Sequence, residues 1–323
     1  KQKKISKINY ITTFMIRKIL ITGSNGMLGK NIINDKRFMK FKLIKLSRKQ
    51  FDLKNQKKMK GYLKRYKPDL IIHCAAKVGG IGDNFKNNLK YFKENVDINN
   101  SVILSAKEVG IKKFINFGSS CMYSVSSKKP LKESYISLNN LEKTNIGYAL
   151  SKIVSMETCK IINQDKKYNY KTLIPCNLYG PYDNFNLEKS HMLQSAIKKI
   201  YIAKKNNEDS IEMWGKGNAK REFMYIKDLV DFIFILLKKF DKAPDIINVG
   251  TGREYSVNKY YKNVLKILKF NPKIVRLKNK PEGQMSKVLD INISRKLGWK
   301  NKTNLKEGIK KTIKFYISKY EKK

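Results

Sequence analysis

Six apolar, strand-like runs, at residues 16–22, 41–46, 69–74, 113–118, 171–176 and 245–249, are separated by stretches of helical periodicity near 27–36, 55–66, 91–109, 147–166, 190–206 and 227–240. Consecutive strands joined through helices are led into parallel pairing, so this alternation admits few folds other than a parallel sheet with helices on both faces. The segment Phe114-Ile115-Asn116-Phe117 reads as a buried strand of that sheet. The expected fold class is α/β, a doubly wound parallel sheet of the Rossmann type. Past about residue 250 the pattern loosens into a helix at 257–269, a short strand near 274 and a final helix at 304–321. We therefore expect a dinucleotide-binding domain from 15–176 plus about 225–250. A smaller, interleaved α/β lobe is expected from about 177–224 plus 251–323. Residues 1–14 read as a disordered extension, with Met15 as the expected start.

Such sheets bind ligands beyond the carboxyl ends of their strands, which directs attention to the residues just after each one. The first strand runs into Gly23-Ser24-Asn25-Gly26-Met27-Leu28-Gly29 and then a helix. Here one glycine can make the tight turn, another lets backbone amides approach a pyrophosphate, and the last allows helix and strand to pack closely. The spacing is GxxGxxG, not the GxGxxG of the dinucleotide fingerprint, so its position between first strand and first helix carries the argument. An NAD site of this kind places an acidic residue about 20 positions further on, against the ribose hydroxyls. The second strand instead ends Leu46-Ser47-Arg48-Lys49, with no carboxylate before Asp52. Ser47 and Arg48 suit a 2′-phosphate, which favours NADPH; the blander reading leaves Arg48 on a solvated basic surface.

Tyr148 and Lys152 lie four apart on a predicted helix, where an ammonium can lower the phenol's pKa and hold a cofactor ribose. Tyr201/Lys205 and Tyr255/Lys259 share that spacing, so it says little by itself. The position of the pair says more, because the strand end Ser119-Ser120 lies shortly upstream, in the order a doubly wound sheet requires. Ser119 is placed to hydrogen-bond the carbonyl oxygen that Tyr148 protonates. Next to it stands Cys121, for which the alternatives are a small packing residue or a reagent.

Composition narrows the setting. The four cysteines, Cys74, Cys121, Cys159 and Cys176, form no CxxC pair, which argues against zinc and a disulfide framework and for a reducing cytoplasm. No metal is expected. No window holds the eighteen or so uncharged apolar residues of a membrane span, and the basic first residues lack the apolar stretch of a secretory signal. The formal net charge of +44 invites a nucleic-acid reading, yet only eight of the 70 basic residues are Arg and the lysines are spread over every segment. We read this as a compositional bias over an ordinary fold, expect no nucleic-acid partner, and retain a role for the charge in attracting an anionic substrate.

The glycine loop with Ser119, Tyr148 and Lys152 resembles the extended short-chain dehydrogenase/reductases. Within them, HCAAKVGGIGDN (73–84), GSSCMY (118–123), LEKTNIGYALSK (141–152), PCNLYGPYDNF (175–185), SHM (190–192) and WGKGNAKREF (214–223) are similar, in order, to the signatures of the GDP-L-fucose synthase family. The similarity runs from Met15 to about Trp299. It implies an NADPH-dependent 3,5-epimerase/4-reductase acting on GDP-4-keto-6-deoxymannose as a homodimer. A C4 ketone acidifies the hydrogens at C3 and C5, and inversion needs a base on one face of the ring and an acid on the other. The resemblance implies Cys121 as base and His191 as acid, with Tyr148, Ser119 and Lys152 serving reduction. It also implies Ala75, Ala76, Lys152, Asn177 and His191 as cofactor contacts beside the glycine loop. Asn177, Trp214, Arg221 and Lys287 are implied for the nucleotide sugar, and a packing role is expected for His73. Without the resemblance, Cys121 reads as a buried hydrophobe, His191 as a residue at a helix start, and Arg221 and Lys287 as surface charge. Three departures, Cys176 for a usual Thr, Ser286 for a basic residue before Lys287, and Asn100-Ser101 for a single Asn at 101, bear on which sugar is used. The rivals are the same chemistry on another GDP-4-keto sugar, of the 6-deoxyheptose or colitose type, and, from another class, a catalytically silent NADP- or RNA-binding protein.

Overall fold

The computed structural model describes residues 16–277, 279 and 283–321, so the expectations for residues 1–14 fall outside them. Six strands, β1 (Lys18–Thr22), β2 (Lys42–Leu46), β3 (Leu70–His73), β4 (Lys113–Phe117), β5 (Asn169–Pro175) and, later in the chain, β10 (Ile246–Val249), form one sheet in the order β10-β5-β4-β3-β1-β2. Every pairing is parallel. β2 lies on one side of β1 and β3 on the other, so the sheet changes its direction of growth at β1. The crevice beyond the ends of β1 and β3 is where a doubly wound sheet takes its ligand.

Side chains alternate across this sheet as period-two geometry requires. Ile19, Ile21, Leu70, Ile72, Ile115 and Phe117 enter one core with Leu229, Phe232, Ile233 and Leu236 of α7 (Ile226–Lys238). Leu20, Ile71 and Phe114 enter the other with Met59 and Leu63 of α2 (Gln56–Tyr66) and Val102, Ile103 and Ala106 of α4 (Asn88–Val109). The remaining crossovers are α1 (Met27–Ile33), the short α3 (Ile81–Lys86) and α5 (Ile146–Ile162). The six expected strands and their helices are present, with ends differing by a few residues.

A third core gathers Leu193, Ile197 and Ile200 of α6 (Met192–Lys205), Tyr260 and Val264 of α8 (Val257–Leu268), and Ile309, Ile313 and Tyr316 of α10 (Leu305–Tyr320). Around it lie three two-stranded sheets. β6 (Asn177–Tyr179) pairs with β9 (Phe223–Tyr225), β7 (Ser210–Trp214) with β12 (Lys273–Leu277), and β8 (Lys220–Arg221) with β11 (Tyr255–Ser256). The chain thus enters this region after β5, returns to the main sheet through α7 and β10, and leaves it again; α9 (Asn292–Lys296) packs back beside β10 before α10 closes the chain in the second region. Among these short strands only the one near 274 is read from the sequence: β6, β8, β9 and β11 have two or three residues and carry no periodicity, and the five-residue β7, which does alternate, is missed.

Candidate active site

Beyond the carboxyl ends of the central strands lies a cavity of about 800 Å³. The glycine loop forms one wall, and its three glycines have separate reasons. Gly23 has φ +63°, and a Cβ there would come within 2.8 Å of the Ala75 backbone, which follows β3. Gly26 caps the start of α1 without any side-chain cap, leaving backbone amides to face the cavity, which Asn25, Gly26, Met27 and Leu28 line. A Cβ on Gly29 would lie 2.5 Å from the Gly23 carbonyl oxygen, so α1 can start close to the loop only with glycine there. A dinucleotide phosphate fits such a cradle, since an added Cβ at Gly26 would meet only the Gly23 carbonyl, at 3.2 Å.

Of the other residues expected to contact the cofactor, Ala76 lines the cavity, and Ala75 lies against the glycine loop and donates its N–H to the Thr22 hydroxyl at 3.3 Å. Ser47 and Arg48 lie outside the cavity lining. The Ser47 hydroxyl is buried and donates to the Gln50 side-chain amide oxygen at 2.8 Å, and Arg48 is exposed. His73, expected only to pack, is buried, and its ring joins Thr22 Oγ1 (2.7 Å) to Asn99 Oδ1 (3.1 Å), tying β1, β3 and α4 together, while it also lines the cavity. Burial, with the Lys152 charge adding, pulls its pKa to about 3 and keeps it neutral. Asn95 pins the next loop, accepting from the Lys77 N–H at 2.8 Å and donating to the Lys77 and Tyr91 carbonyls.

The five residues expected to do chemistry, Ser119, Cys121, Tyr148, Lys152 and His191, all line this one cavity. Ser119 caps a 3-10 turn over Ser120–Met122, accepting from the Cys121 N–H at 3.2 Å, which turns the Cys121 side chain out of the sheet's end. The thiol is partly exposed and met by two donors, the Asn145 amide at 3.2 Å and the Lys287 ammonium at 3.9 Å. Lys287 is itself buried and paired with Glu142 at 3.4 Å. The expectation that Lys152 lowers the phenol's pKa is not met. Burial pushes the Tyr148 phenol up, and the Cys121 charge adds to this while the Ser119 hydrogen bond opposes it. Such a phenol stays protonated at neutrality, which suits a proton donor. Lys152 stands over the Tyr148 ring at 5.7 Å, and burial pulls its pKa down to about 8. His191, at the start of α6, is lowered below its ordinary 6.5 by burial.

Asn177, Trp214, Arg221 and Lys287, each expected for substrate, are also in the lining. Asn177 donates to the Glu222 carbonyl at 3.0 Å, and Arg221 to that of Gln284 at 2.5 Å. Reading the sequence alone misses Lys199, whose ammonium lies 6.0 Å from the centre of the Trp214 ring, and misses Asn145 and Glu142 beside Cys121. Only Asn145 and Glu142 had a signal there, inside a motif already singled out. Lys189 and Lys30 add further cations to the wall. Among the described residues, no group of three His, Cys, Asp or Glu side chains is gathered as a metal site, and no helix is long and apolar enough to cross a membrane.

Residues 19–250 match the model of the NAD dependent epimerase/dehydratase family. A GDP-L-colitose synthase from Yersinia pseudotuberculosis is 44% identical over 302 residues, 93% of this chain and 98% of its own length. A GDP-L-fucose synthase from Azorhizobium caulinodans is 37% identical, over 94% of this chain and 97% of its own. A solved GDP-mannoheptose C4 reductase from Campylobacter jejuni, with NADP bound, superposes with a TM-score of 0.84 at 29% identity, covering 93% of this chain and 98% of that one.

Proposed function

Starting from the family to which the chain belongs, the NAD dependent epimerase/dehydratase family, we propose that it is an NADPH-dependent enzyme that inverts and then reduces a GDP-linked 4-keto-6-deoxy sugar. The coarser statement, an enzyme of the GDP-sugar epimerase/reductase type, follows from its relatives directly. The observation that carries the finer one is the meeting of the Cys121 thiol, the His191 ring and the Ser119, Tyr148 and Lys152 groups in the same cavity as the glycine loop.

The cofactor fits the residues present: the loop offers amides to phosphate, and no carboxylate follows β2 until Asp52 to repel a 2′-phosphate. When bound, NADPH supplies the hydride. Cys121, as thiolate, removes the proton made acidic by the neighbouring ketone, its charge balanced by Lys287 and the Asn145 amide. His191 delivers a proton to the other face of that carbon, which inverts it. For the reduction Tyr148 gives its phenolic proton to the sugar oxygen that becomes the C4 hydroxyl, while Ser119 holds that oxygen. Lys152 supplies positive charge beside the ribose. Arg221, Lys199 and Lys287 meet the diphosphate, and Trp214 offers a face to the guanine.

For the sugar, the higher identity to the colitose enzyme favours a 3-deoxy substrate over the fucose precursor. Colitose is a 3,6-dideoxyhexose, so C3 is no stereocentre and only C5 is inverted. The test is turnover of GDP-4-keto-6-deoxymannose and of its 3-deoxy counterpart with NADPH, in deuterated water. The 3-deoxy compound is expected to turn over at least tenfold faster in kcat/KM, with deuterium at C5. Cys121→Ser should cut that exchange by a hundredfold or more while NADPH affinity stays within about twofold. Oxidation of NADPH by neither sugar defeats the proposal, and unchanged exchange in the variant removes Cys121 from it.

A further inference from the structure

Glu222 is fully buried, next in sequence to Arg221. Its Oε1 accepts from the backbone N–H groups of Thr251 (2.5 Å) and Gly252 (2.7 Å) and from the Thr251 hydroxyl (3.2 Å), and its Oε2 accepts from the N–H of Leu289 (2.8 Å). A Cβ on Gly250 would come within 2.4 Å of Oε1, so the turn after β10 closes directly on the carboxylate. One side chain therefore ties that turn and the segment 283–291 to the strands bearing Arg221. The segment carries Lys287, which reaches Cys121, and Gln284, whose carbonyl holds Arg221. Its Ser286, where a basic residue was expected, donates instead to Glu254 at 2.8 Å. Asn177 is bound to the Glu222 carbonyl as well.

We infer that Glu222 is a positioning residue for the nucleotide-sugar end of the cavity, its carboxylate fixing the segment that bears Lys287 against the strand that bears Arg221, while its backbone carbonyl holds Asn177. The inference rests on the nucleotide-sugar reading above. Facing the carboxylate are the Cys176 thiol at the end of β5 and the Tyr260 phenol of α8, both pushed up chiefly by burial, with Glu222's charge adding. Arg221 flanks it in sequence, and its carbonyl is capped by the Tyr260 hydroxyl at 2.8 Å. Burial raises Glu222 to about 7 against the pull of its four donors, so it gains a proton as pH falls through neutrality. A protonated carboxyl no longer accepts at every one of those positions, and the segment bearing Lys287 loosens.

Calorimetric binding of GDP-mannose, whose diphosphate diester does not titrate near neutrality, tests this between pH 8 and 6, with NADPH measured in parallel. Wild-type affinity for GDP-mannose is expected to fall about fivefold over that range while NADPH affinity changes by less than about twofold. Thr251→Val removes one donor to the carboxylate, so the midpoint should move to higher pH. Glu222→Gln should bind weakly and show no pH dependence. Asp183, also raised to about 7 by burial, bonds Gln194 and Asn184 and none of these donors, so a midpoint that follows Thr251 belongs to Glu222. A flat wild-type profile, an unmoved midpoint in Thr251→Val, wild-type affinity in Glu222→Gln, or a parallel loss of NADPH affinity each overturns the inference. The wild-type and Thr251→Val profiles carry the test even if Glu222→Gln does not fold. Absence of GDP-mannose binding at every pH overturns the nucleotide-sugar reading itself, and this inference with it.

Discussion

Burial tunes the charge of Lys152, the residue proposed to stand beside the cofactor ribose. Its pKa is pulled to about 8 by burial, opposed by the Cys74 thiol, so the ammonium is lost as pH rises past 8, well before an exposed lysine would lose it. NADPH is expected to bind several-fold more weakly at about pH 9 than at pH 7, whereas Lys152→Arg, which keeps its charge, should show a flat profile. Fluorescence titration of NADPH checks it, and a flat wild-type profile contradicts it. Lys152 itself was legible from its place after a serine-bearing strand end, and Cys121 and His191 from the motifs around them. The donors that meet the Cys121 thiol were not: Asn145 lies 24 positions along the chain and Lys287 lies 166, and spacing carries no information at such separations. Nor does sequence show how deeply a group is buried, which is why the Tyr148 phenol moves up when its lysine neighbour suggested down.

At the scale of elements, the loop between β1 and α1 is the most demanding piece of backbone at the site. Gly29→Ala places a methyl 2.5 Å from the Gly23 carbonyl and 2.8 Å from the Ser24 Cα, both backbone atoms that cannot swing aside. The start of α1 must shift, at a cost of about 1–3 kcal/mol. NADPH affinity is expected to fall at least tenfold, with GDP-mannose affinity within about twofold of wild type. Equal loss for both ligands would mean general unfolding and would remove the loop from cofactor binding. The main-sheet strands and the longer crossover helices were readable because each repeats its apolar pattern over four or more residues. β6, β8, β9 and β11 repeat nothing, having two or three residues each, yet they hold Asn177 and Arg221. The substrate side of the cavity was therefore accessible only through motifs.

For the whole molecule, the expected association with a second copy has a surface to use. α4 and α5 pack side by side and leave Leu104, Val154 and Ile161 exposed, at 37%, 37% and 62%. Sedimentation velocity is expected to give a dimer, and Val154→Glu combined with Ile161→Glu a monomer that still binds NADPH. A wild-type monomer at micromolar concentration would count against it. The excess of lysine makes self-repulsion large, so the association should tighten with added salt. The chain's double passage through the second region has a consequence for how the protein comes into being. β10 cannot join β5 until the segment from β6 to β9 has been made, and β7 has no partner until β12 emerges. On the ribosome, the glycine-loop half can therefore settle while part of the second region still lacks its mates, and a chain cut short after β10 would be left with a cavity opening onto unpaired strands.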